Sequence, residues 1–466
     1  MILPHPGVCA PGLRKWRRRL PRSPGSRLQV RRSTVALLLL VGLTLAGCSW
    51  FGSKKQPLPG ERISVLSLDN QLKPDPDLAK IAITLPKPVV NSDWPQPGGY
   101  PNHAMQHLAL PATLAQVWKT SIGEGSSRYT QVLSQPIVVK GRVYAMDGGS
   151  QVSAYDAATG NQIWRVDVKP AENSGSSFGG GVAFWKGRLY VSTGYAQVLA
   201  LDPTSGKVIW RTGVGDPVRS GPTVTDGRIY IVTVENELVA LATDDGRRLW
   251  SHNGIPETAG LVGSSSPAVE GEVVVVGYSS GELYALTVEN GRALWSDNLA
   301  ATRSADAVSA LADIRGRPVI DRGRVFAVSH SGRMVSIDIR SGERNWEQDI
   351  GSAHGPWVAG DYIYILSNDS ELICLTRNDG KVRWMRQLPA YEDEKAKEDP
   401  IRWTGPVLGG DRLILLSSNG WALSVSPYTG EPLGREEMPA GAFVDPVIAN
   451  NTLYVLTDNA ELSAYR

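Results

Sequence analysis

The sequence predicts an all-β protein, an eight-bladed β-propeller of four-stranded blades closed by an N-terminal strand. Three observations carry this. One unit recurs from Trp118 to the C-terminus, and its turn glycines, Gly160 to Gly430, are spaced by a mean of 45 residues, the length of one blade. Within each unit the strands are short, β-branched and aromatic, with period-two alternation and Gly-rich turns, and helical periodicity is nearly absent. The chain stops after three strands of an eighth unit, while a spare strand, residues 115–118, stands ahead of the first. Joining the two ends closes the ring and removes an exposed sheet edge.

The elements follow in order. Arg31 and Arg32 precede an apolar stretch, residues 34–46, that ends Leu45-Ala46-Gly47-Cys48. A basic region, an apolar region and small residues before a cleavage point describe a secretory signal, shorter than the ~20 residues a spanning helix needs. The final tetrad resembles the bacterial lipobox, which implies that residues 1–47 are removed and that the Cys48 thiol carries lipid. Several acyl chains anchor firmly, at about 0.8 kcal/mol per buried CH₂. Ser49, rather than Asp, follows the Cys. The lipobox resemblance then implies the periplasmic face of the outer membrane as destination. Residues 1–29 are Pro- and Arg-rich ahead of an adequate signal, so we expect a mis-assigned start there, with Val30 as the alternative.

Residues 48–111 lack a sustained period, contain nine prolines from Pro57 to Pro101, and read as a lipidated Cys followed by an extended tether. His103 and His107 stand four apart with no third ligand nearby, so they predict no metal site. The propeller is assigned to residues 112–466.

The first unit spells the repeat most fully: Pro136, Gly141-Arg142-Val143-Tyr144, Val152 to Asp156, Thr159-Gly160 and Trp164. The second to sixth keep its phase, each ending on a Gly and a Trp. The seventh runs from Pro406 to Thr429-Gly430, with Leu433 read in the Trp place. Trp118, Trp164, Trp210, Trp250, Trp295, Trp346 and Trp384 thus recur at one place in the repeat. Large rings at one equivalent position predict packing between neighbouring blades, where they bury most area. Cys374 replaces the alternating strand's Ala and reads as a small buried apolar residue.

Composition excludes several classes. Hydrophobic residues make up 42%, too many for a chain disordered throughout, and a single long apolar run excludes a multi-span helical membrane protein. Net charge is +2, but nine basic residues and no acidic ones lie in residues 1–47, leaving the body at −7. The body therefore has no overall basic footprint for nucleic acid or anionic lipid. Three cysteines, Cys9, Cys48 and Cys374, allow no disulfide framework and no CxxC pair. The charged run from Tyr391 to Asp399 reads as a solvated loop. The Gly-rich run from Asn173 to Gly181 does not join a strand to a helix, and reads as an inter-blade loop rather than a phosphate cradle.

The Ala154-to-Trp164 pattern resembles the tryptophan-docking motif of quinoprotein (PQQ-dependent) dehydrogenases, across about 350 residues. Those enzymes are longer, and many carry an adjacent Cys-Cys pair that this chain lacks. It also lacks an obvious acidic cluster for their Ca²⁺. Lipobox, Pro-rich tether and eight degenerate repeats together resemble the BamB family, lipoprotein subunits of the outer-membrane β-barrel assembly machinery. Trp94-Pro95-Gln96-Pro97-Gly98-Gly99 and the stretch from Asp313 to Trp346 strengthen that likeness. The resemblance implies a non-catalytic scaffold with no cofactor. It would bind BamA, the barrel-forming subunit, and help deliver unfolded outer-membrane proteins. It also implies partner-binding residues: Leu261 and Asp313 match family contact positions in the loops 259–263 and 310–315. Val262 stands where an Arg is expected, and Arg315 where a second acidic residue is expected. A PQQ-dependent dehydrogenase-like enzyme and a propeller binding polysaccharide or another envelope complex are the alternatives.

Overall fold

A computed structural model describes residues 72–78, 80–172, 179–300 and 311–466. The signal segment 1–47, Cys48, the tether to residue 71, most of the Gly-rich run and Ala310 lie outside the described residues.

The short alternating strands assemble into eight four-stranded antiparallel sheets arranged as an eight-bladed propeller. The first blade shows the plan, with strands Ile137–Val139, Arg142–Met146, Gln151–Asp156 and Gln162–Asp167 in sequence order from the channel outward. Its two middle strands are buried on both faces, because neighbouring blades pack on each side. Its outer strand alternates with only Trp164 buried. The eighth blade takes its inner three strands from the C-terminus and its outer strand, Gln116–Ser121, from the N-terminal side. The pairing joins Trp118 to Ala464, and Ala115 and Arg466 exchange both backbone bonds, at 2.8 and 3.0 Å.

The seven repeated tryptophans lie between blades. Each indole N–H donates to a carbonyl of the following blade: Trp118 to Ala157 at 3.1 Å, Trp164 to Pro203 at 3.0 Å, and so on to Trp384 and Pro427 at 3.1 Å. The rings cover the turn glycines. A Cβ on Gly160 would stand 2.6 Å from the Trp118 ring, and Gly160 adopts φ +74°, so bulk and backbone both require glycine there.

Two sequence assignments need correction. In the seventh blade the Trp place belongs to Gly434, not Leu433. Gly434 pairs with Ser424 as Trp384 pairs with Cys374, and Leu433 is 58% exposed on the outer strand. The second half of the tether is also not loose. Residues 91–110 form a strap bonded to all eight innermost strands or the turns that end them. Asn91 O accepts from Asn450 N, Trp94 exchanges two bonds with Val138, and Pro95 O accepts from Phe184 N. Gln96 Oε1 accepts from Val224 N and Gln106 Oε1 from Gly360 N. Pro101 O and Asn102 O accept from Val269 N and Ile320 N, and Leu108 bonds Leu408 and Gly410. The inner strands' channel-side edges carry unpaired amides that need acceptors. A proline-rich extended chain supplies carbonyls while needing few acceptors in return, because proline has no N–H to satisfy. His103 and His107 fasten this strap, each with Nδ1 beside a carbonyl, of Pro318 at 2.8 Å and of Pro86 at 2.7 Å.

The charged run forms a small exposed hairpin, Tyr391–Asp393 with Glu398–Pro400. Cys374 is fully buried and free, and burial pushes its thiol up.

Candidate partner-docking face

Each connection from an outer strand to the next inner strand emerges at the end of the channel opposite the strap. Two of these connections hold the residues singled out by family resemblance, and the fold brings them together. The Asp313 carboxylate, only 5% exposed, accepts the Leu261 amide at 2.8 Å. Burial raises the Asp313 pKa, and the bond from Leu261 and the charge of Arg315 oppose that rise. The flanking backbone is tied down: Ile314 N donates to Tyr278 O at 3.1 Å and His330 N to Asp313 O at 2.9 Å. Asp313 is thus an internal brace for the loop 259–263, whereas Leu261 and Val262 line the surface, Val262 being 36% exposed.

Arg315 occupies the place where an acidic residue is expected, and its chemistry is turned around to suit. Its Nε donates to the Val262 carbonyl at 2.7 Å and its guanidinium to Ala353 O at 2.9 Å. The same group lies 4.8 Å from the Phe443 ring centroid, a cation–π distance. Where two oppositely charged side chains were expected at 262 and 315, one guanidinium therefore braces the backbone of the other position.

Around these residues lies a groove of about 310 Å³, with apolar walls from Leu261, Val262, Leu366, Trp403, Ala442 and Phe443. Leu261 also borders a second depression of about 180 Å³ with Asn236 and Arg219. Deeper in the channel, Arg317 donates to Asp445 at 2.7 Å, and Asp445 also accepts from Thr404 and Gly405. Burial lowers His354 to about 4, so its imidazole is uncharged at neutral pH.

The residues at the channel do not fit a quinone with Ca²⁺. The cavity between Pro97 of the strap and Arg315, Arg317 and Asp445 is about 70 Å³. Small-molecule sites run upward of ~300 Å³. Among the described residues no group of three His, Cys, Asp or Glu is placed to hold a metal ion.

Sequence reasoning did not anticipate Phe443, Trp403 or Leu366 in the groove. They come from blades six to eight and meet Leu261 only through ring closure. Trp403 was the one visible signal, a Trp outside the repeated Trp position.

Known proteins agree with this architecture. Residues 148–386 match the family model described as outer membrane protein assembly factor BamB. The BamB of Yersinia pestis is 30% identical over 356 residues, covering 75% of this chain and 88% of the relative. That of Escherichia coli K12 is 27% identical over 384 residues, covering 74% and 86%. Among solved structures, BamB from Moraxella catarrhalis superposes with a TM-score of 0.65 at 17% identity, covering 76% of this chain and all of the other. Quinohemoprotein alcohol dehydrogenase from Comamonas testosteroni has a TM-score of 0.61 at 14% identity, covering 80% of each chain, a likeness of fold alone. On the extent of the family match and the identity to the Yersinia protein, the chain belongs to the BamB family of outer membrane protein assembly factors.

Proposed function

We propose that this chain is a non-catalytic, lipid-anchored scaffold at the periplasmic face of the outer membrane. In this reading it docks the barrel-forming subunit BamA through the groove beside Leu261 and assists insertion of unfolded β-barrel proteins. The observation that carries the reading is the bond from Leu261 to buried Asp313, which presents Leu261 and Val262 on a braced loop beside apolar walls. A preformed apolar groove with a fixed rim suits protein docking, because little ordering entropy is lost on binding. Family membership supports the assembly role, and the poor fit of the channel to a quinone argues against the dehydrogenase alternative.

Affinity capture of the membrane-extracted protein tests this. BamA should be recovered with the wild type and reduced with Leu261→Ala plus Asp313→Ala, with the double variant still folding as a propeller in circular dichroism. Undiminished recovery from the folded double variant would remove the groove from the interface. Recovery of no barrel-forming subunit by the wild type would overturn the function.

A further inference from the structure

The seam between the seventh and eighth blades differs from the other seven in a way that register alone reveals. In the first, second and fifth blades, the Arg of the inner hairpin reaches across the seam to a carbonyl three residues before the next blade's turn glycine, whereas Arg228 of the third bonds Asp226 O of its own turn. Arg142 bonds Pro203 ahead of Gly206, and Arg188 bonds Thr243 and Asp244 ahead of Gly246. Arg324 bonds Arg377 and Asn378 ahead of Gly380. In the seventh blade Arg412 bonds Pro111 and Ala112. The end of the strap therefore supplies the eighth blade's missing turn, and Leu114 stands in the glycine place. The backbone agrees, since Arg466 N donates to Ala115 O as Asp156 N donates to Asn161 O.

Opposite Leu114 stands Gly434 in the tryptophan place. A Cβ built on Gly434 meets nothing within 4 Å. The pair is thus reversed, glycine where every sister seam has an indole and leucine where each has a glycine. What remains is a cavity of about 470 Å³, walled by Leu114, Ile414, Ala422, Leu453, Val455 and Tyr465.

We propose that this seam is a binding slot for a tryptophan side chain presented by another polypeptide. Three observations specify that occupant. The seven sister seams of this same molecule are each filled by an indole. The acceptor is kept: Pro203 O takes Trp164 Nε1 together with Arg142 and the Tyr144 hydroxyl, whereas Pro111 O, its counterpart, takes Arg412 and no indole. Charge is complementary as well. Arg412 and Arg435 both line the slot, and guanidinium groups favour the negative face of an aromatic ring. Arg435 already lies 4.4 Å from the Trp421 ring centroid. Beside the slot the seventh blade's outer strand, Pro432–Glu437, is exposed at every residue, so its free edge can pair with the extended chain that brings the indole. The slot shares no lining residue with the groove at Leu261 and does not depend on it.

Fluorine NMR of a fluorinated N-acetyl-tryptophan amide, titrated with the full-length protein, tests the slot. Saturable line broadening is expected with the wild type. Gly434→Trp, which places the chain's own indole in the seam, should weaken binding by at least about tenfold and raise the unfolding temperature. If that variant does not fold, Ala422→Phe blocks the slot from another wall and should give the same loss. Absence of saturable binding to the wild type, or undiminished binding to a folded blocked variant, would overturn the proposal.

Discussion

Trp118 lies over Gly160 and donates its indole N–H to Ala157 O at 3.1 Å, so a strand arriving from the strap is docked on the first blade. Gly160→Ala drives a Cβ into that ring. It should cost about 1–3 kcal/mol from overpacking, with about 1 kcal/mol more for a left-handed backbone. Trp118→Ala should cost about 3–5 kcal/mol. Gly434→Ala, whose Cβ meets open space, should stay within about 0.5 kcal/mol of wild type. Denaturant unfolding of the three variants reads the contrast, and equal losses would refute the register that distinguishes the seams.

The strap gives the fold an acid-sensitive joint. His103 is buried, and burial with the nearby Arg317 charge lowers it to about 3, so it is neutral at neutral pH. In the unfolded chain it titrates near 6.5. Its folded pKa is depressed, so its contribution is present above 6.5 and is lost as pH falls toward the folded value. The loss is at most about 1.4 kcal/mol per pH unit. His103 sits at φ +61°, a conformation that Asn tolerates well. His103→Asn should therefore flatten the decline in stability between about pH 6 and pH 4. An unchanged acid limb in denaturant unfolding would assign that decline elsewhere, with His354 the next group to test.

How much of this was legible beforehand follows from what is periodic. Blades repeat, so Gly160, Trp164 and their successors announce strand order, turn and docking partner at a fixed spacing, and the truncated eighth unit announces closure. The strap does not repeat. Its contacts pair single carbonyls with eight different strands, and a Pro-rich stretch reads the same whether free or bound. The slip between Leu433 and Gly434 has a related cause. An apolar residue attracts the assignment when a glycine holds the register, and only cross-strand pairing with Ser424 settles it. The groove was half legible. Leu261 and Asp313 came from resemblance, whereas Phe443 and Trp403 reach the site through closure of the ring.

Asp313 combines a brace with a buried charge, and two substitutions separate them. Asp313→Asn keeps an oxygen for the Leu261 amide and removes the charge. Asp313→Ala removes both, and should cost about 1–3 kcal/mol if the amide is left unpaired. Because burial raises the folded pKa of this acid, its contribution is greatest below the unfolded value and declines as pH rises through the folded one. The Asn variant should lose that decline and keep partner capture, while the Ala variant should lose capture. Equal capture by both would show that the loop 259–263 needs no brace.

The proposed anchor, Cys48, and the proposed docking groove at Leu261 belong to different parts of the chain, and their independence can be measured. The described chain joins the sixth blade at its outer strand, where Asp75 N donates to Val382 O at 2.8 Å and Lys381 pairs with Asp75 at 2.9 Å. Cys48 lies 27 residues earlier, a stretch that spans at most ~90 Å. The groove at Leu261 opens at the channel end opposite the strap, so lipid attachment and docking need not compete. Cys48→Ser should therefore release the protein from outer-membrane fractions under a high-salt wash, because a charge-mediated contact is screened and acyl burial is not. Capture of the barrel-forming subunit in detergent should be unchanged. Continued sedimentation of the variant with membranes would place the anchor elsewhere, and loss of capture in detergent would show that the lipid shapes the docking face.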